Sequence, residues 1–300
     1  MERQIVEQGE GCFEHEGVRY HYASWRPAGR VPGRPLPAEE GLASVVLVHG
    51  FAQSARSWRR VGEALGQTRP VFAIDLVGHG KSERPAAGSA YALAAQGRAL
   101  RAGVERVARA IAPPVVVGYS MGGRVVLAAL VDAPEAFAAN TSGLVLESAG
   151  LGPATVDERA RTAAADAARA AQLRERGVEA FMEEWERLPL FASQAALPAE
   201  VRAAVRAERL ANDAEVLART FEHAGQHAMP PRAEATAALR ALAARDVAIA
   251  YAAGALDVKY AALAADLRER VPSARVAVIP GAGHDVHLEA PKEFLALFAR

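Results

Sequence analysis

The sequence predicts a doubly wound α/β fold: a mostly parallel sheet with a helical lid inserted late in the chain. Three observations point there. Short, β-branched apolar runs recur: SVVLV from Ser44, PVFAI from Pro70, PVVV from Pro114 and GLVLE from Gly143. Such runs suit strands buried on both faces of a parallel sheet. Helical stretches separate them, at residues 55–66, 91–112 and 122–131. The alternation stops after Gly150 and resumes at DVAIAYAAG, from Asp246, leaving a block rich in Ala, Arg and Glu between.

The elements follow in chain order. Residues 12–25 alternate loosely around Glu16-Gly17 and read as an N-terminal hairpin. Pro27, Gly29, Pro32, Gly33, Pro35 and Pro37 then predict an extended loop. The strand–helix alternation begins at Ser44. Residues 153–231 read as several helices broken at Gly177, Pro189, Pro198 and Pro230-Pro231, with no strand among them and no fixed repeat. After DVAIAYAAG come a helix from about Lys259, the strand RVAVIP and a last helix from about Pro291. Residues 1–150 and 233–300 are therefore expected to form the core, and 151–232 the lid.

Composition narrows the function classes. A chain of 300 residues, 51% hydrophobic, can bury the core of one large domain with an insertion. The 35 basic side chains balance the 35 acidic ones, so no nucleic-acid or membrane-surface partner is indicated. Lys81, Lys259 and Lys292 are the only lysines; arginine is the default cation, and each arginine is discounted as a signal. A single cysteine, Cys12, rules out an intramolecular disulfide or a cysteine-based zinc cluster. MERQIVEQGE lacks the apolar core of a signal peptide, and no apolar run reaches membrane-spanning length. A cytoplasmic location is the expectation. Oligomeric state is not readable.

Gly118-Tyr119-Ser120-Met121-Gly122 fits G-x-S-x-G between a buried strand and a helix. That context lifts a serine hydroxyl above the sheet edge on a strained turn, and small flanking residues let the backbone bend. The helix behind it offers free N–H groups to a developing anion. The bland alternative is an ordinary glycine-rich turn. His49-Gly50-Phe51 follows the first buried strand; in such folds this loop supplies one oxyanion N–H, here Phe51, and Met121 supplies the other. The acid must lie between serine and histidine in sequence. Asp257 follows a strand end where Asp246 starts one, and ligands bind at carboxyl ends of strands, so Asp257 is favoured; it could also cap a helix. His284 follows the Gly-Ala-Gly turn after RVAVIP and is preferred as base over His287. His284, Asp285 and His287 raise a metal site, ranked low for want of further ligands. Asp75 through Ser82, DLVGHGKS, is not a phosphate loop and is expected to support the serine turn. Arg124 shares a helix face with Ser120, four residues away, in an otherwise apolar helix. A guanidinium there needs an anion: a buried protein carboxylate or a substrate carboxylate.

Together, strand–HGF, D-x-x-G-H-G-x-S, G-Y-S-M-G-G-R, G-x-x-D-x-K-Y, G-x-G-H-x-x-H and the phrase from Phe181 through Ser193 resemble the α/β-hydrolase superfamily. Within it the chain looks most like the menaquinone-pathway family of 2-succinyl-6-hydroxy-2,4-cyclohexadiene-1-carboxylate synthases, from about Ser44 to the C-terminus. The resemblance implies an α/β-hydrolase fold and a lyase expelling pyruvate from a small polycarboxylate ring, with no cofactor or metal. It implies a Ser120–His284–Asp257 triad in which the serine acts as base, and substrate contacts from Arg124, Tyr119, Trp185 and Arg209. Where the family often carries a lid arginine this chain has Thr162; Arg159 and Arg161 are the nearest candidates, and Arg161 is taken as the contact. For Arg209 a solvated helix arginine is the competing reading. Two other functions use the same residues: a serine hydrolase acting on carboxylesters or C–C bonds, and a non-catalytic receptor or scaffold.

Overall fold

The structure, a computed structural model, describes residues 6–28 and 42–299. Eight strands form one sheet: β1 (Val6–His15), β2 (Val18–Pro27), β3 (Val45–Val48), β4 (Val71–Ile74), β5 (Val115–Tyr119), β6 (Gly143–Glu147), β7 (Ala248–Gly254) and β8 (Arg275–Ile279). Their spatial order is β1-β2-β4-β3-β5-β6-β7-β8. β1 and β2 form the expected hairpin, turning at Glu16 and Gly17, both with positive φ, and its arms run longer than the sequence suggests. β2 pairs antiparallel with β4; every pair from β4 to β8 is parallel. The extended loop expected after Pro27 lies outside the described residues from 29 to 41.

Strands buried on both faces need apolar residues at every position, and the core shows why. Val46, Val48, Val116, Leu144, Leu146 and Ile249 join one buried cluster. Their strand neighbours Val45, Leu47, Val117, Val145 and Ala250 join another on the opposite face. Helices α1 (Arg59–Leu65), α2 (Leu93–Ala110), α3 (Met121–Asp132) and α4 (Pro134–Ala139) fill the connections of the first half. Between β6 and β7 the chain leaves the sheet as a helical insertion: α5 (Val156–Trp185), α6 (Ala199–Leu210), α7 (Ala214–Ala224), then α8 (Arg232–Ala243) leading back to β7. The break expected at Gly177 is a kink inside α5, where that glycine takes φ 75°. α9 (Val258–Arg270) follows β7; α10 (Val286–Glu289), a short helix not foreseen, and α11 (Pro291–Leu295) follow β8. No helix among the described residues is long and apolar enough to cross a membrane.

The order places a site. β3 lies between β4 and β5, so the chain winds outward in opposite directions from the β3–β5 pair. The loops leaving those two strands diverge and open a crevice at their carboxyl ends. Val48 pairs with Gly118, so His49-Gly50-Phe51 and Ser120 leave the sheet side by side.

Candidate active site

Ser120 is the residue between β5 and α3. Its backbone sits at φ 51° and ψ −107°, in the left-handed region that a side chain rarely adopts. The surroundings hold it there: its N–H donates to Glu147 O at 2.8 Å, and a methyl on Gly122 would stand 2.2 Å from Val48 O. Only glycine lets the start of α3 pack this closely on β3. Ser120 Oγ lies 2.9 Å from His284 Nε2, and His284 Nδ1 lies 2.6 Å from Asp257 Oδ2. A carboxylate only accepts, so Nδ1 carries the ring proton and Nε2 turns its lone pair to the serine hydroxyl. Both sequence readings of Asp257 hold at once: Oδ1 accepts from Tyr260 N at 3.3 Å as the cap of α9, while Oδ2 serves the histidine.

Neither Phe51 N–H nor Met121 N–H donates to a protein acceptor among the described residues. Met121 opens α3, where unpaired N–H groups and the helix dipole favour an anion. The Gly50–Phe51 peptide is set by His49. Its Nε2 accepts from Leu76 N at 3.0 Å, which leaves the proton on Nδ1, donated to Gly50 O at 2.8 Å. In a trans peptide the Phe51 N–H then points the opposite way from that carbonyl. Burial holds His49 below its ordinary pKa, which keeps this tautomer neutral. The DLVGHGKS loop therefore braces the loop after β3 more directly than the serine turn: Asp75 Oδ1 also accepts from Ala55 N, at 2.6 Å.

A cavity of about 350 Å³ opens over Ser120, His284 and Asp257. Its walls are Phe51, Tyr119 and Arg124 from the core, and Trp185, Phe191 and Arg209 from the insertion. A larger cavity of about 980 Å³, between α6 and the N-terminal hairpin, contains none of the three relay residues.

The model of the alpha/beta hydrolase family matches residues 45–297. The chain belongs to the α/β-hydrolase family. A 2-succinyl-6-hydroxy-2,4-cyclohexadiene-1-carboxylate synthase of Salmonella agona (strain SL483) is 34% identical over 258 residues, covering 85% of this chain and 92% of that protein. A Bacillus subtilis (strain 168) protein provisionally named as the same synthase is 31% identical over 279 residues, 93% of each chain. Among solved structures, MenH from S. aureus superposes with a TM-score of 0.79 at 26% identity, covering 92% of this chain and 95% of that one. A malate-bound thermophilic esterase from Thermogutta terrifontis shares the fold, with a TM-score of 0.71 at 22% identity over 98% and 100% of the two chains. This is a MenH-like α/β hydrolase.

Four residues expected to meet substrate, Arg124, Tyr119, Trp185 and Arg209, line this cavity in the MenH-like hydrolase. Arg124 lines the cavity. Among the described residues it has no carboxylate partner; NH1 donates to Ala224 O at 3.2 Å, and burial holds the guanidinium below its ordinary pKa. The direct buried ion pair is therefore not formed; Asp166, on the same cavity, acts on Arg124 only through its charge. Tyr119 is buried; burial first, then the charge of Asp285, pushes its phenol well above the ordinary value, so it stays protonated as a donor. Trp185 packs on Phe51 with ring centroids 5.2 Å apart. Arg209 is 5% exposed, not solvated: NH1 donates to Glu186 at 3.1 Å, NH2 to Gln194 at 3.1 Å, and the guanidinium lies over Phe191.

Arg161 is a correction. It is exposed and does not line the cavity. Arg159 is used structurally, donating to Met229 O at 3.0 Å and to His227 O. Thr162 bonds back to its own helix. The arginine that α5 turns to the cavity is Arg169, bonded to Asp166 at 3.0 Å and packed over Trp185 and Phe221. Lys259 lines the cavity as well. Arg169 was not singled out, because an arginine-rich helix carries no mark of which face meets the core; Lys259 entered only as part of G-x-x-D-x-K-Y, with no role given to it.

His287 does not compete for the serine. Its Nδ1 lies 2.8 Å from Glu147 Oε2 and 3.1 Å from Asp285 Oδ1, and its ring stacks on Trp58 at 3.9 Å. Glu147, Asp285 and His287 are all buried, with ligand-type atoms close enough together to hold a metal ion. Each of these atoms already has protein partners: Gln53 donates to Asp285, and His287 N donates to Glu147. Burial opposes a charge on His287, but the two carboxylates outweigh it and raise the imidazole to about 9. The cluster reads as an internal ion network tying the end of β6 to the His284 loop.

Proposed function

We propose that this MenH-like α/β hydrolase is a lyase of menaquinone biosynthesis. It eliminates pyruvate from 2-succinyl-5-enolpyruvyl-6-hydroxy-3-cyclohexene-1-carboxylate to give the 2-succinyl-6-hydroxycyclohexadiene carboxylate. The observation that carries the reading is Arg124: a guanidinium without a protein carboxylate, on the same cavity wall as a serine relay. A planar, two-pronged cation suits a substrate carboxylate; Lys259 lines the same space, as do Arg209 and Arg169, which are paired with Glu186 and Asp166. Identity with synthases over most of the chain supports the same conclusion.

In this mechanism His284, oriented by Asp257, accepts the Ser120 proton. The alkoxide removes the ring proton next to the succinyl ketone. Charge moves to the ketone oxygen, where the N–H groups of Phe51 and Met121 receive it. Collapse of that enolate expels the enolpyruvyl oxygen, the ring gains a double bond, and the released enol becomes pyruvate. The serine hydroxyl is restored by the proton it removed, and His284 returns its own to the leaving group or to water. The other reading is a serine hydrolase, which the same relay would serve with Ser120 covalently acylated. Steady-state assay of pyruvate release from the ring substrate, beside hydrolysis of p-nitrophenyl esters, separates them. Efficient pyruvate release with poor ester turnover supports the lyase; the opposite pattern supports the hydrolase.

A further inference from the structure

The loop carrying His284 is fastened from two sides. On one side it joins the turn carrying Asp257: Leu256 N donates to Ala282 O and Ala255 N to Ile279 O, both at 2.9 Å. On the other stands Glu289, the last residue of α10. Its Oε2 accepts from Gly283 N at 2.8 Å and its Oε1 from Asp285 N at 3.3 Å. Those two N–H groups flank His284. One carboxylate thus bridges the backbone on either side of the imidazole, and fixes the angle at which that ring leaves the chain.

The insertion reaches the same point. Ser193 lies in the 3-10 segment Pro189–Ala196, between α5 and α6. A methyl on Gly283 would stand 2.0 Å from Ser193 Oγ and 3.1 Å from Glu289 Oε2, so hydroxyl and carboxylate meet over that α-carbon. The Ser193 hydroxyl is buried and forms no well-aligned hydrogen bond among the described residues. Burial raises the Glu289 carboxyl, and the neighbouring Ser193 hydroxyl draws it back. In the same segment Phe191 sets its ring edge-on to His284, with centroids 5.9 Å apart.

We propose that Glu289 is a positioning residue for His284, and that Ser193 couples this position to the placement of the insertion. Glu289 touches neither substrate nor the reacting atoms; it acts by holding the peptide on both sides of the imidazole. When the insertion shifts, Ser193 leaves the carboxylate, the clamp slackens, and the His284–Ser120 hydrogen bond lengthens. The proposal rests on Ser120 and His284 being the reacting pair, but not on which substrate they meet.

The test therefore uses a probe that needs no ring substrate. An alkyl fluorophosphonate forms a bond from serine Oγ to phosphorus, loses fluoride, and passes the hydroxyl proton to His284. Its rate of labelling Ser120 is measured on the full chain, with the folded fraction taken from near-ultraviolet circular dichroism. The downfield Nδ1 proton of His284 is followed by NMR. Glu289→Gln turns an amide donor toward one of the two N–H groups. It should slow labelling by about tenfold or more and move or broaden that resonance, because small displacements of a reacting group are costly. Ser193→Ala leaves the carboxylate in place and should slow labelling by about two- to fivefold. Glu289→Asp, which keeps the charge but reaches one N–H, takes over if the Gln variant does not fold, and should fall between the other two. Wild-type labelling rates and an unmoved resonance in the Glu289 variants would mean a merely structural role and overturn the proposal. A wild-type rate in Ser193→Ala overturns the coupling to the insertion. Absence of labelling in the unmodified protein overturns the premise itself, whereas failure to release pyruvate would count only against the lyase.

Discussion

Arg124 and Ser120 show how differently two neighbouring residues announce themselves. Ser120 was legible from its strand–turn–helix setting, but its strain was not measurable there; the positive φ of 51° comes from packing on β3 and β6. Releasing that strain should show. Ser120→Gly is expected to be more stable than Ser120→Ala by about 1–2 kcal/mol, the scale of a residue held in a disfavoured backbone region. Equal melting midpoints would mean the turn stores no strain. Arg124 was legible as an anomaly, a cation in an apolar helix, with two explanations, of which the family resemblance favoured the substrate carboxylate. Only the fold shows that, among the described residues, no carboxylate bonds to it directly, although Asp166 lines the same cavity. Arg124→Ala should therefore lower kcat/KM by about tenfold to a hundredfold, the worth of a lost charged hydrogen bond, with the melting temperature nearly unchanged. Arg124→Lys should restore little, since an ammonium lacks the planar fork. A collapse in stability with intact turnover would return Arg124 to a structural role. Arg161 was misplaced for a geometric reason. Arg169, the residue that reaches the cavity, lies eight positions further on, about 12 Å along the helix, and nothing in a polar, alanine-rich segment fixes that depth.

Strands and turns were the most readable elements, because a strand buried on both faces leaves a run of apolar residues that few other structures need. The β5–α3 turn adds glycines where backbones touch. Gly122→Ala should cost about 1–3 kcal/mol by overpacking against Val48 O, and should reduce the serine's reactivity along with the melting temperature. Wild-type behaviour of that variant would show that α3 can shift away from β3 freely. The end of β6 was opaque. Glu147 closes the run GLVLE and reads as an ordinary polar strand end; its partner His287 is 140 residues away, and only the sheet order brings them together. That pairing gives a pH dependence whose sign is fixed. The folded-state pKa of His287 is raised to about 9 from 6.5, so its contribution to stability is complete below about pH 6.5 and is lost as the pH rises through 9. Melting temperature should fall across that window, and His287→Asn should be less stable at pH 6 but lose most of the slope. A wild-type slope in the variant would assign the dependence to other groups.

For the whole molecule, alternation of strand and helix, interrupted once by a helical block, was enough to predict the sheet and the insertion between β6 and β7. Asp257 and His284 followed because the useful ends of parallel strands all face one way. What remained hidden was the contact between insertion and core: Phe51 meets Phe221 with ring centroids 4.4 Å apart, and Ser193 reaches the His284 loop. Such contacts join residues far apart in sequence and carry no period or motif. They also make the cavity a joint product of both parts, with arginines laid over aromatic rings in its wall. Arg124 in that cavity is what the proposal of elimination rather than acyl transfer rests on. The most direct test is a rapid-quench single turnover of purified protein with the ring substrate, reading pyruvate and intact protein mass in the same samples. The account predicts one pyruvate per active site, no mass increase on Ser120 at any time, and loss of the product in Ser120→Ala. No pyruvate from the ring substrate, together with an acyl adduct on Ser120 when a simple ester is supplied, would contradict it.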